Sequence, residues 1–141
     1  MLLQYKQYAF REYHENDCYE VEALLPRLNN KGYSVPADDC THVVLLDQAI
    51  VGAFHVNFSN YLSDRVFRLC WLVAKERCRG VGTYIVKEAC KFAIVEQFSA
   101  LHTSYNINNT ESVNLFERKH EFIRLGLPSE GGETESMMNL T

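Results

Sequence analysis

Residues 77–82 read Arg77-Cys78-Arg79-Gly80-Val81-Gly82. They follow an apolar, strand-like run from Val66 to Val73 and open an apolar, helix-like run from Val81 to Phe98. The first N–H groups of a helix have no intrahelical partner, and the helix dipole favours negative charge beside them. Glycine lets the main chain approach a phosphate without a Cβ in the way, and Arg77 and Arg79 add charge and donors. The local reading is a turn that binds phosphate or pyrophosphate, against the blander alternative of an ordinary glycine-rich strand-to-helix turn.

Two phosphate loops are excluded by their own requirements. A dinucleotide fingerprint needs a third glycine three positions after Gly82, where Ile85 stands. A P-loop needs Gly-Lys-Ser/Thr, but Thr83 follows Gly82 directly. What remains is Arg-x-x-Gly-x-Gly between a strand and a helix. It resembles the acyl-CoA pyrophosphate loop of the GCN5-related N-acetyltransferases, the GNAT superfamily.

Composition sets the outer bounds. A chain of 141 residues, 47% hydrophobic and 23% charged, is expected to form one globular domain over residues 1–141. A net charge of −4 argues against a general binder of nucleic acid or anionic membrane. No apolar run reaches membrane-spanning length, and Met1-Leu2-Leu3-Gln4-Tyr5-Lys6 lacks the pattern of a signal peptide. A cytoplasmic location is the expectation. The five cysteines are odd in number and include no Cys-x-x-Cys, so free thiols are expected. His14, His42, His55, His102 and His120 show no zinc-ligand spacing, so no metal site is expected. Cys78, between two arginines, is read as offering its backbone N–H, with a functional thiol as the alternative.

The rest of the chain supplies elements in a definite order. Residues 2–13 form a first strand. Asp17-Cys18-Tyr19-Glu20 has the form of a capping box, followed by an apolar stripe at Val21, Leu24, Leu25 and Leu28. Pro26 kinks or ends that helix. Residues 29–40 read as loop. Val43–Leu46 and Ala49–Val56 form a hairpin about Asp47-Gln48, and Asn60–Asp64 turns into the strand that delivers the loop. The helix from Val81 is apolar nearly all round, which predicts packing on more than one side. Ala100–Tyr105 is a strand, and Asn108 or Asn109 caps a last helix with Val113 and Phe116 inward. Phe122–Leu127 and Glu135–Leu140 are strands joined by a loop at 128–135. The order predicts an α/β (α+β) domain: a mixed, mostly antiparallel central sheet of six to seven strands flanked by helices. It is also the GNAT order, so the resemblance spans the chain.

A second segment carries the resemblance further. Asn109-Thr110-Glu111-Ser112-Val113-Asn114-Leu115-Phe116-Glu117-Arg118 is similar to the family's Asn-x-x-Ala/Ser-x-x-Leu/Phe-Tyr/Phe-Glu-Lys. The resemblance implies a site for acetyl-CoA built from Leu72, Val73, Arg77, Cys78, Arg79, Gly80, Val81, Gly82, Thr83, Asn109, Ser112 and Phe116. Asn109 and Ser112 would lie along the pantetheine and phosphate arm, and Leu72-Val73 would pair with its amides. Phe116 occupies the position where the family often has a tyrosine, the presumed general acid, and phenylalanine donates no proton. With the gap placed differently, Glu117 falls there. Lys119-His120-Glu121-Phe122 replaces the usual Gly-Phe with one extra residue. The replacement acids are Tyr105, His120 and Cys70, and the candidate bases are Glu76 and His55. Each also has a plain structural reading.

The resemblance implies acyl transfer from acetyl-CoA to a primary amine, small-molecule or peptide, by direct attack in a ternary complex. It allows a homodimer. The acceptor site would be lined by residues from about 25 to 40, the end of the third strand and the loop at 128–135; Asp38, Asp39, Glu130, Glu133 and Glu135 make those segments acidic, which suits a cationic amine or simply a solvated loop. The alternatives are a CoA-binding regulatory domain without transferase activity and an interaction module that has lost the ligand.

Overall fold

The computed structural model describes residues 7–28, 40–61, 64–76 and 79–141. Strands β1 (Ala9–Glu12), β2 (Thr41–Leu46), β3 (Ala49–Tyr61), β4 (Asp64–Ala74), β5 (Ala100–Asn106), β6 (Ile123–Arg124) and β7 (Glu133–Asn139) alternate with helices α1 (Cys18–Leu24), α2 (Val81–Val95) and α3 (Thr110–Val113). The seven strands form one mixed sheet in the order β1-β2-β3-β4-β5-β7-β6. The chain divides into two compact units, Met1–His55 with Leu72–Tyr84, and Val56–Trp71 with Ile85–Thr141.

In the first unit β1, β2 and β3 pair antiparallel. The β2–β3 hairpin turns on Asp47 and Gln48, both at positive φ (50° and 67°), the backbone that two-residue hairpins demand. The register slips between Val44 and Leu45, so Val44 faces Gly52 while Leu45 faces Ile50. The residue left over is Val51, a bulge. Its carbonyl accepts the Lys75 N–H at 2.8 Å, which fixes the chain as it leaves β4. Gly52 sits where three segments meet. A Cβ there would stand 2.7 Å from Val81 Cγ1 and 2.8 Å from the Val73 carbonyl oxygen. Val44, its cross-strand partner, and Val43 are fully buried, as is Val21 of α1.

Helix α1 begins differently from its sequence signature. The Asp17 side chain makes no cap bond to the helix. It turns back instead, accepting the His14 N–H at 2.9 Å and a two-pronged bond from Arg11 at 2.7 and 2.9 Å. The bonds from Arg11 hold the Asp17 carboxyl below its ordinary range. The expected box with Glu20 is therefore replaced by a strand-to-helix clamp, because a guanidinium fork is the stronger partner. Pro26 acts as expected: α1 stops at Leu24 and a 3₁₀ turn, Leu25–Leu28, follows. Residues 1–6 and 29–39, where the first half of the first strand and most of a loop were expected, lie outside the described residues.

In the second unit β4 and β5 run parallel, from Val66↔Ala100 to Leu69↔Thr103. Both strands continue past the end of that ladder. The Thr103 hydroxyl donates to the Leu69 carbonyl at 2.9 Å, at the last rung. β5 pairs antiparallel with β7 over its whole length. The last two strands differ from expectation: β7 starts at Glu133, and β6 shrinks to two residues. α2 is likewise one-sided. Val81, Ile85, Val86, Ala89 and Ala93 are buried, whereas Ile94 and Val95 at its end are 59% and 76% exposed. The apolar residues outside the buried stripe cluster in the last turn, where Phe92 leans on Phe67 and Phe98.

Gly52→Ala is expected to lower stability by about 1–3 kcal/mol, because one of the two close neighbours is backbone and cannot swing away. Urea unfolding monitored by circular dichroism checks it.

Candidate functional site

Gly80 has φ +83°, a conformation open to glycine and strained for other residues. A Cβ at this position would meet nothing within 4 Å, so the requirement is one of backbone rather than space. The Tyr84 N–H donates to the Gly80 carbonyl at 2.9 Å, the first helical bond of α2. The N–H groups of Val81, Gly82 and Thr83 precede that bond and have no acceptor inside the helix. The first turn contains no acidic residue. Three donors at the positive end of a 15-residue helix, with Arg79 next to them, form a cradle for an anion. Arg77 and Cys78 lie outside the described residues.

The cradle is braced by the residue that precedes β1. Tyr8 donates its hydroxyl to the Arg79 carbonyl, and its ring lies 5.5 Å from that of Tyr84. Tyr8 thus touches both ends of the turn. Sequence reading missed it because its partner is 71 residues away and no motif marks it. A cavity of about 150 Å³ adjoins the turn, with Tyr8, Val51, Lys75, Glu76, Arg79 and Val81 among its walls. Glu76 Oε2 accepts from Arg79 Nε at 3.1 Å, and both side chains are exposed. In the same unit Leu72 is half-buried and Val73 buried at the end of β4. His55 Nδ1 bonds to Thr41 Oγ1 across β2 and β3 at 2.8 Å, and Thr41 is fully buried. That pairing gives His55 the structural role the sequence left open beside the catalytic one.

The second unit holds the remaining candidates. Asn109, not Asn108, caps α3, its side-chain oxygen accepting the Ser112 N–H at 3.2 Å. The helix passes directly into a π turn, Asn114–Lys119, which turns Phe116 into the core. Phe116 is 3% exposed. It stacks on Tyr105 at 5.2 Å and meets Phe122 edge-on at 5.2 Å. Its place is thus in the packing rather than on an open ligand surface.

Tyr105 donates its hydroxyl to Glu117 Oε2 at 2.6 Å, and Arg124 Nε donates to the same oxygen at 3.0 Å. Burial and the bond to Glu117 push the Tyr105 hydroxyl up from 10.0. Burial alone would raise Glu117, but the bonds from Tyr105 and Arg124 outweigh it and hold the carboxyl below 4.5. A phenol whose proton is committed to a carboxylate is a poor acid toward a substrate. His120 is held below 6.5 by burial and by Lys119 and Lys87, and its Nε2 is buried without a partner. Cys70 is half-buried in β4.

The acidic loop is smaller than expected. Glu133 and Glu135 belong to β7. Glu135 pairs with Arg68 at 3.3 Å, and Glu133 accepts from Asn106 at 3.3 Å. Glu130 remains exposed in the turn, while Asp38 and Asp39 lie outside the described residues.

Two measurements test these assignments. Tyr105→Phe removes a bond to an ionised carboxylate and is expected to cost about 1–2 kcal/mol in urea unfolding. For His120 the folded value lies below the unfolded 6.5, so the unfolded chain takes up a proton that the folded one resists. Its contribution is complete above pH 6.5 and is lost as pH falls below that value. His120→Gln is expected to flatten the fall in melting temperature between about pH 7 and 5.

Comparison with known proteins gives this geometry a context. No curated protein matches the chain. Among solved structures, a chain of the NatC complex bound to Gag peptide and CoA superposes with a TM-score of 0.71 at 14% identity, over 96% of this chain and 99% of that one. Ard1 from Thermoplasma volcanium superposes with a TM-score of 0.72 at 17% identity, over 95% and 98%. N-acetylglutamate synthase from Neisseria gonorrhoeae, complexed with coenzyme A and N-acetyl-glutamate, gives 0.72 at 12% identity, over 98% of this chain and 36% of that chain. At such identities these likenesses speak for the fold. The sequence also matches the model of the Acetyltransferase (GNAT) family over residues 4–122, most of its length, and the chain therefore belongs to the GNAT family.

Proposed function

We propose that the protein is an N-acetyltransferase that moves an acetyl group from acetyl-CoA to a primary amine, by direct attack in a ternary complex. The observation that carries this reading is the trio of N–H groups at Val81, Gly82 and Thr83, aimed past a glycine at φ +83° with no carboxylate in the first helical turn. The donor set fits the diphosphate of CoA: backbone N–H groups at a helix start, one arginine beside them, and no Cβ at Gly80. Arg77 and Cys78 belong to the same loop by its motif. Leu72 and Val73 would offer backbone to the pantetheine amides as an added strand would. Asn109 and Ser112 are carried over from the family motif to the same arm. CoA membership of the ligand set is supported by the bound CoA in the NatC and N-acetylglutamate synthase structures.

The co-substrate supplies an activated acyl thioester. The protein's part is to hold that group and the amine together, which lowers the barrier by converting a bimolecular encounter into a local one, and to polarise the carbonyl with backbone donors. Proton transfer is left to solvent or to the thiolate itself, since Phe116 cannot donate and the Tyr105 proton is bound to Glu117. The acceptor is a small-molecule or peptide amine, and the protein works in the cytoplasm.

One observation favours a second reading. The tyrosine position is filled by a buried phenylalanine, which suits a CoA-binding regulatory domain with no transfer activity. A panel of amines assayed with acetyl-CoA separates the two: release of free thiol with any amine excludes the second reading.

Calorimetric titration of CoA and acetyl-CoA into the wild type, Gly80→Ala and Gly80→Asp tests the site itself. The alanine pays the strain of a positive φ, about 1 kcal/mol. The aspartate adds a negative charge to that strain. Expected are a modest loss of affinity for the alanine variant and a loss of tenfold or more for the aspartate. No binding to folded wild type would overturn the proposal.

A further inference from the structure

We propose that Glu76 is a built-in competitor for the anion cradle, a carboxylate that holds Arg79 until an anionic ligand displaces it. The inference rests on the reading of residues 79–83 as the diphosphate site. Arg79 is the described guanidinium next to the three N–H groups that have no acceptor inside the helix, and its Nε is held at 3.1 Å by Glu76 Oε2. The two are three residues apart across the turn, and their side chains are 58% and 64% exposed. An arriving polyanion must take Arg79 from this carboxylate or share it, and must also approach the carboxylate's own charge. The same cavity wall carries Lys75. The Arg79 main chain is pinned independently by the Tyr8 hydroxyl on its carbonyl. Loss of Glu76 therefore frees the guanidinium without freeing the turn.

Such a residue lowers affinity for the ligand at its charged end and leaves the reacting end alone. In a transferase both co-substrate and product carry the same diphosphate, so a carboxylate here weakens both alike and speeds release of the product. Glu76 is thus a tuning residue that acts through Arg79.

The test is titration of CoA and of inorganic pyrophosphate into the wild type, Glu76→Gln, Arg79→Gln and the double variant, at low and at high salt. Exposed ion pairs are worth little, so Glu76→Gln is expected to tighten both ligands about two- to fivefold at low salt. The gain should shrink at high salt, because it is electrostatic between exposed groups. It should also largely vanish in the Arg79→Gln background, as a coupled pair requires. Equal or weaker binding by Glu76→Gln, with the wild type binding normally, overturns this proposal and leaves the diphosphate site standing. A gain that persists undiminished in the Arg79→Gln background also overturns it. Failure of the folded wild type to bind either ligand overturns the diphosphate site and this inference with it.

Discussion

The geometry around the glycine turn depends on one close approach. At Gly52 the β3 backbone comes so near the Val73 carbonyl and the Val81 side chain that no Cβ fits. Val73 lies near the end of β4 and Val81 begins α2. Their shared contact with Gly52 therefore sets where the strand stops and where the helix starts, and with them the direction in which the first N–H groups point. The neighbouring bulge at Val51 adds a second constraint, since its carbonyl ties down Lys75. A hairpin with a regular register would have offered neither the carbonyl nor the gap. The cradle is consequently a product of sheet packing as much as of the loop that carries its glycines.

That division explains what could be read from the sequence. The glycine turn into α2 at Gly80, the hairpin about Asp47-Gln48 and the strand-helix order were legible because each is written in consecutive residues. Glycine where φ must be positive, alternation on strands and the break at Pro26 are all local signals. Asn109 was legible as a cap for the same reason. Asp17 shows the limit. Its local context spells a capping box, but Arg11 reaches it across the turn, and a two-pronged ionic bond outcompetes a single N–H. Tyr8, Gly52 and the Tyr105–Glu117–Arg124 cluster were not legible at all. Each matters through a partner that only the folded chain brings near.

The π turn at Asn114–Lys119 is the least local of these features and bears most on chemistry. A π turn takes up one residue more than a regular helical turn before the chain reaches Phe122. Phe116 then points into the core against Tyr105 and Phe122, and Glu117 reaches the Tyr105 hydroxyl. Phe116 is thereby committed to packing, and the nearby phenol of Tyr105 is committed to a hydrogen bond with the Glu117 carboxylate.

With those side chains committed, neither Phe116 nor Tyr105 is placed to give a proton to a substrate. This narrows how a transferase on this scaffold can work. Amine attack on a thioester needs the amine neutral and the thiolate able to leave, and a thiolate leaves without a strong acid because it is weakly basic. What solvent cannot supply is alignment. Alignment is what the rigid parts provide: a helix start fixed by Gly52, a turn braced by Tyr8, and an arginine held by Glu76 until something more anionic arrives. Catalysis by position tolerates the loss of a tyrosine far better than it would tolerate the loss of Gly80, whose conformation aims all three donors.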